Sequence, residues 1–94
     1  LPISNELGPW NITVNNVLPG ATGTGRLKAI IANKSAKASI SEDAAAQEMK
    51  DEIPLRRFAE PEELAAAICF LAGPSAAYIS GINLPVDGGR TGCL

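Results

Sequence analysis

Ile12-Thr13-Val14-Asn15-Asn16-Val17-Leu18, closed by Pro19-Gly20, is the stretch that decides the fold. β-Branched residues dominate it and turn formers bound it on both sides. That pattern predicts a strand over 12–18, with the Asn pair interrupting strict alternation. Downstream the period changes. Leu27, Ile30 and Ile31 share one face of a helix running from 24 to about 37, with Thr24 as its N-cap. A second helix is expected over 42–51, opened by Ser39 or Ser41, with Glu42 and Asp43 facing the positive end of the helix dipole. Pro61 at a first helical position, followed by Glu62 and Glu63, predicts a third helix. Its Leu64, Ile68 and Leu71 recur on one face until Gly73-Pro74 stops it. Ile82-Asn83-Leu84-Pro85-Val86 then reads as a second short strand, and its proline assigns it to a sheet edge. Upstream, residues 3–7 read as the last turns of a helix that Gly8 closes at the C′ position, with Pro9 beyond.

Strand, helices, strand is the order of a parallel pair joined by a right-handed crossover. A two-stranded sheet is marginal in water, and a parallel pair needs both faces covered. Further strands are therefore expected beside residues 12–18, supplied from outside these residues. The 94 residues permit a single small domain, 1–94. An initial Leu rather than Met is read as a sign that something preceded it.

Composition narrows the function classes. With 46% hydrophobic and 19% charged residues, the chain is globular rather than disordered. A net charge of −2 with no basic run longer than Arg56-Arg57 argues against a nucleic-acid partner. No apolar stretch approaches the roughly 20 residues of a bilayer span. The start of the chain lacks signal-peptide character, and a cytoplasmic location is expected. Cys69 and Cys93 form no Cys-x-x-Cys pair and are read as free thiols, with Cys69 a small core residue beside the apolar face of its helix. Histidine is absent, so these residues assemble neither a Ser-His-Asp nor a Cys-His mechanism.

Several segments together resemble the later half of the short-chain dehydrogenases/reductases: Glu6-Leu7-Gly8-Pro9, Ile12-Thr13-Val14-Asn15, and Pro19-Gly20 with Thr24 four residues after the glycine. The same order continues with Ile53-Pro54-Leu55-Arg56-Arg57-Phe58, Glu60-Pro61-Glu62-Glu63-Leu64-Ala65, Phe70-Leu71-Ala72, Tyr78-Ile79-Ser80-Gly81 and Val86-Asp87-Gly88-Gly89. Each piece is weak, but their shared order and spacing from about Asn5 to Gly89 is a strong signal. The bacterial 3-oxoacyl-carrier-protein reductases are the group most similar to it. The resemblance implies an α/β fold, the C-terminal portion of a Rossmann-like doubly wound parallel sheet, with 12–18 and 82–86 as its last two strands and 24–53 as a substrate-covering region. It implies NAD or NADP as cofactor, a small carbonyl or alcohol as substrate, and Pro19, Gly20, Thr22 and Thr24 as cofactor-binding residues. Thr22 departs from the family, which usually carries Ile or Val two residues after the glycine. Helix 61–72 and the segment 78–86 resemble the subunit contact surface of family tetramers, so a homo-oligomer is expected.

Other readings compete at individual positions. Gly20-Ala21-Thr22-Gly23-Thr24-Gly25 follows a strand and opens a helix, yet its spacing is neither G-x-G-x-x-G nor a P-loop. Ile30, Ile31 and Met49 either line a substrate pocket or form the buried face of two helices, and the second is preferred. Tyr78 is the only tyrosine, and Ile82 stands where a Tyr-x-x-x-Lys catalytic pair needs lysine, so Tyr78 is read as structural. The catalytic residues and the nucleotide-binding glycines of such an enzyme are expected upstream. Asp87-Gly88-Gly89 reads as a tight turn rather than a metal ligand. Arg56 and Arg57 either steer an acidic carrier or a cofactor phosphate or form surface ion pairs with Glu60, Glu62 or Glu63, and the second is preferred. The function these features imply is a C-terminal segment of an NAD(P)-dependent oxidoreductase, inactive by itself. The alternative is a non-catalytic remnant that self-associates through helix 61–72 and strand 82–86.

Overall fold

The computed structural model describes residues 3–91. Strands β1 (Asn16–Pro19) and β2 (Asn83–Val86) form a two-stranded parallel sheet, with Asn16 opposite Asn83 and Pro19 opposite Val86. The expected parallel pairing is present, but β1 starts four residues later than residues 12–18 predicted. The cause lies across the sheet. Around Val14 and Asn15 the neighbouring chain is still turning, so side chains substitute for a ladder. The Ser80 hydroxyl accepts from Val14 N–H, while the Asn15 amide donates to Ile79 C=O and accepts from Ile82 N–H. Regular pairing begins only at Asn16, whose side chain donates to Asn83 Oδ1 at 2.9 Å. Pro85 sits opposite Leu18 in β2.

Between the strands lie α2 (Gly25–Ala38), α3 (Glu42–Asp51) and α4 (Pro61–Ala72); α1 (Ile3–Leu7) precedes β1. Local chemistry sets their ends. The Thr24 hydroxyl accepts from Leu27 N–H, and the Ser41 hydroxyl accepts from Ala44 N–H. Of the two serines considered for α3, Ser41 is the cap; Ser39, at φ 56°, closes α2. Helix α4 begins with Pro61 behind a reciprocal Glu60/Glu63 capping box and ends at Gly73. Gly8 does not stop α1 as expected. The chain tightens into a 3₁₀ turn over Gly8–Trp10, where Pro9 is tolerated because a first turn needs no N–H from it, and Asn11, at φ 59°, ends the turn.

Burial is sparse. Leu27, Ala45, Ile53, Leu71 and Ala76 are the buried apolar residues among those described. The radius of gyration is 16.8 Å with extents of 55 × 26 × 21 Å, against about 12 Å for a compact domain of this length. An elongated body with so small a core matches the expectation that more structure belongs against it. Cys69 corrects the sequence reading: it is free but exposed, as are its neighbours Ile68 and Phe70 on α4. Cys93 lies outside the described residues. No helix among the described residues is long and apolar enough to cross a membrane.

Candidate functional site

Strand β1 delivers Pro19-Gly20 to its carboxyl end, and the loop 20–24 runs straight into the N-terminus of α2. Pro19, Gly20, Thr22 and Thr24 all line one cleft of about 470 Å³ there, together with Arg26 and Ile30. The four residues named from the sequence thus meet in one place. Ile31 and Met49 are half-buried and are not among the residues lining this cleft.

The loop is held from two sides. On one, Gly20 N–H donates to Val86 C=O at 2.9 Å. A Cβ on Gly20 would stand 2.7 Å from the Cα of Asp87, so this glycine is required by the close approach of the Asp87 backbone. On the other side runs the return segment from α3. Ala59 N–H donates to Ala21 C=O at 2.9 Å, and Ala59 C=O accepts from Gly23 N–H at 2.8 Å, forming an isolated parallel bridge between Thr22 and Ala59. The Thr22 hydroxyl turns inward and donates to Gly20 C=O at 3.1 Å, which stiffens the turn.

The electrostatics at the mouth are one-sided. No acidic residue stands in the first turn of α2, and Arg26 adds a cation to the positive end of the dipole. An anionic group in the cleft is favoured by both. Thr24 uses an oxygen lone pair to cap Leu27 N–H at 3.4 Å and keeps a hydroxyl proton to donate. Sequence reasoning missed Arg26, although a cation at a helix start without acids is a readable signal. It also missed Ala59, which acts through its backbone and so has no side-chain signature.

A second cleft, of about 490 Å³, lies on the far side of Ala21 and is bounded by Ile53, Leu55, Arg57, Glu63 and the Asp87-Gly88-Gly89 turn. The turn is as expected, with Gly88 and Gly89 at φ 65° and 92°. Hydrogen bonds from the Thr91 hydroxyl, then from the backbone N–H groups of Thr91, Gly89 and Arg90, hold the Asp87 carboxyl below its ordinary range. Arg57 forms the expected ion pair, bidentate to Glu63 at 2.6 and 2.8 Å. Among the described residues Arg56 pairs with no acid. It donates to the backbone carbonyls of Asp51 and Ile53, at the end of α3. Tyr78 is fully exposed and is not among the residues lining either cleft.

The hydrogen bonds from Arg57, then that from Glu60 N–H, lower the Glu63 carboxyl from its ordinary 4.5 to about 2. The unfolded chain therefore takes up this proton first on acidification. The stabilisation is complete above about pH 4.5 and is lost as pH falls towards 2. Because the pair is exposed, salt should weaken it. Urea midpoints measured from pH 5 to 2 should fall less steeply in Glu63→Gln than in the unsubstituted chain, and the difference should shrink in 1 M salt.

Parallel strands joined through helices, with a phosphate-compatible cleft where a strand meets a helix N-terminus, define a portion of a Rossmann-like, doubly wound α/β sheet. The family model described as Enoyl-(Acyl carrier protein) reductase matches residues 2–91. This chain belongs to the short-chain dehydrogenases/reductases. It is 41% identical over 87 residues to the NADPH-dependent reductase BacG of Bacillus subtilis, covering 93% of this chain and 34% of that protein. It is 39% identical over 89 residues to a cyclohexanol dehydrogenase of Rhodococcus, covering 95% of this chain and 29% of that one. The crystal structure of a short chain dehydrogenase family protein from Francisella tularensis superposes with a TM-score of 0.91 at 32% identity, covering 97% of this chain and 38% of that chain. The chain spans about a third of the length of the curated relatives it matches.

Proposed function

We propose that these residues form the C-terminal segment of an NAD(P)-dependent oxidoreductase acting on a small carbonyl or alcohol. One observation carries the reading: Pro19, Gly20, Thr22 and Thr24 converge on a single cleft outside the carboxyl end of β1, at an acid-free helix start. Names of relatives support the chemistry, since one is an NADPH-dependent reductase and another a cyclohexanol dehydrogenase.

The cofactor, when bound, supplies or accepts hydride. Pro19 and Gly20, at the carboxyl end of β1, would form part of the wall of its site. Thr24 would hold the cofactor with a hydrogen bond from its hydroxyl, and Arg26 with the α2 amides would neutralise phosphate charge. Thr22 rigidifies the loop by donating to Gly20 C=O and keeps its oxygen lone pairs to accept from the cofactor. Helices α2 and α3 cover the substrate, with Ile30 presented to the cleft. The acid/base residues belong to the part of the fold outside this segment, which also supplies the strands beside β1. Exposed Ile68, Phe70 and Tyr78 suit α4 and the chain leading into β2 to subunit contact in a cytoplasmic homo-oligomer.

Thr24→Ala in the intact protein should weaken NADH or NADPH binding about ten-fold, the scale of one lost hydrogen bond to a charged group. Thr24→Ser should retain it. Unchanged affinity in Thr24→Ala, read by fluorescence titration, removes Thr24 from the site. The 94-residue chain by itself should show no turnover of a ketone with NADPH. Stable dimers or tetramers of that chain without cofactor affinity would favour the non-catalytic alternative instead.

A further inference from the structure

We infer that Glu63 is a positioning residue for the Pro19–Thr24 loop, acting through the backbone of Ala59; this rests on the cofactor-cleft reading above. The carboxylate of Glu63 makes three hydrogen bonds to a segment of four residues. Arg57 Nη1 and Nη2 donate to its two oxygens at 2.6 and 2.8 Å, and Glu60 N–H donates to Oε1 at 2.9 Å. These anchors lie two residues before and one residue after Ala59. Arg57 Nη1 also donates to Phe58 C=O at 3.3 Å, which closes the bracket.

Ala59 is thereby gripped on both sides, and it is Ala59 that holds Ala21 and Gly23, flanking Thr22 in the cleft wall. A carboxylate on α4 is thus connected to the cofactor loop by a rigid relay of one side-chain fork and two backbone hydrogen bonds. Charge-assisted, bidentate geometry suits this task because it fixes orientation as well as distance. Glu62, its neighbour in the same first turn, supplies the control, since it has no part in the bracket.

The test is amide hydrogen exchange at Gly23 and Ala59 in the intact protein, with cofactor affinity as a second readout. Both amides should exchange about ten-fold faster in Glu63→Ala than in Glu62→Ala, while α4 stays helical. Glu63→Gln, which keeps the acceptor for Glu60 N–H but loses the charge-assisted fork to Arg57, should restore only part of the protection. Arg57→Gln, which spares the α4 cap, should reproduce the effect even if Glu63→Ala fails to fold. The KM for nicotinamide cofactor should rise with little change in the KM for the carbonyl substrate. Exchange at Gly23 and Ala59 that matches Glu62→Ala in both variants overturns the inference. If the unsubstituted protein binds neither NADH nor NADPH, the functional reading fails, and exchange alone still decides whether Glu63 positions the loop.

Discussion

Ile53→Ala is expected to cost about 2–5 kcal/mol, the range for removing a buried aliphatic side chain and leaving a cavity. Ile53 is only 3% exposed in a molecule with very little core. Its Cγ2 occupies the space where a Cβ on Gly88 would fall, 2.7 Å away. It therefore joins the end of α3 to the turn after β2, and neighbouring Leu55 N–H donates to Gly88 C=O at 3.1 Å. Losing Ile53 should loosen the whole return segment that carries Arg57 and Ala59. Leu55→Ala, two residues along but 62% exposed, is the control and should cost far less. Urea unfolding of the two variants checks the contrast. Equal midpoints would show that Ile53 is not the anchor.

Gly20→Ala should destabilise by about 1–3 kcal/mol through overpacking. The new methyl would meet the Cα and Cβ of Asp87 at 2.7 and 2.8 Å, and backbone cannot swing aside as the tip of a long side chain could. Either β1 and β2 separate at their carboxyl ends or the loop moves away from Val86, and both distort the cleft. Cofactor affinity should fall together with stability. Gly23→Ala is the matched control: its Cβ would sit 3.5 Å from Ala59 C=O, an ordinary contact. Its effect should be small or slightly stabilising, since alanine restricts the unfolded chain. If Gly20→Ala melts like Gly23→Ala, the close approach to Asp87 is not what demands glycine. The sequence reading placed Gly20 in the cofactor loop. The structure adds that packing against Asp87 is sufficient reason for it, apart from any ligand.

The helices were legible to within a residue or so. Thr24, Ser41 and the Glu60/Glu63 box each satisfy N–H groups three residues away, so the information for a helix start is contained in one turn of chain. The ion pair of Arg57 was legible for the same reason, with its partner six residues on. The site was legible in part. Family resemblance singled out Pro19, Gly20, Thr22 and Thr24, and these four converge on one cleft. That the Thr22 hydroxyl donates within the loop was not visible in its spacing.

By itself the sequence determined where helices begin and the strand–helix–strand order of a parallel pair, because caps, periodicity and turn residues act over three or four positions. Only the tertiary structure decided the start of β1, the need for glycine at 20, the exposure of Cys69 and the hold of Ala59 on the loop 20–24. Each of these except the exposed thiol depends on a partner roughly 40 to 70 residues away, and the thiol depends on what fails to pack over it. Chain connectivity does not specify such contacts locally; they exist only once distant segments have been brought together.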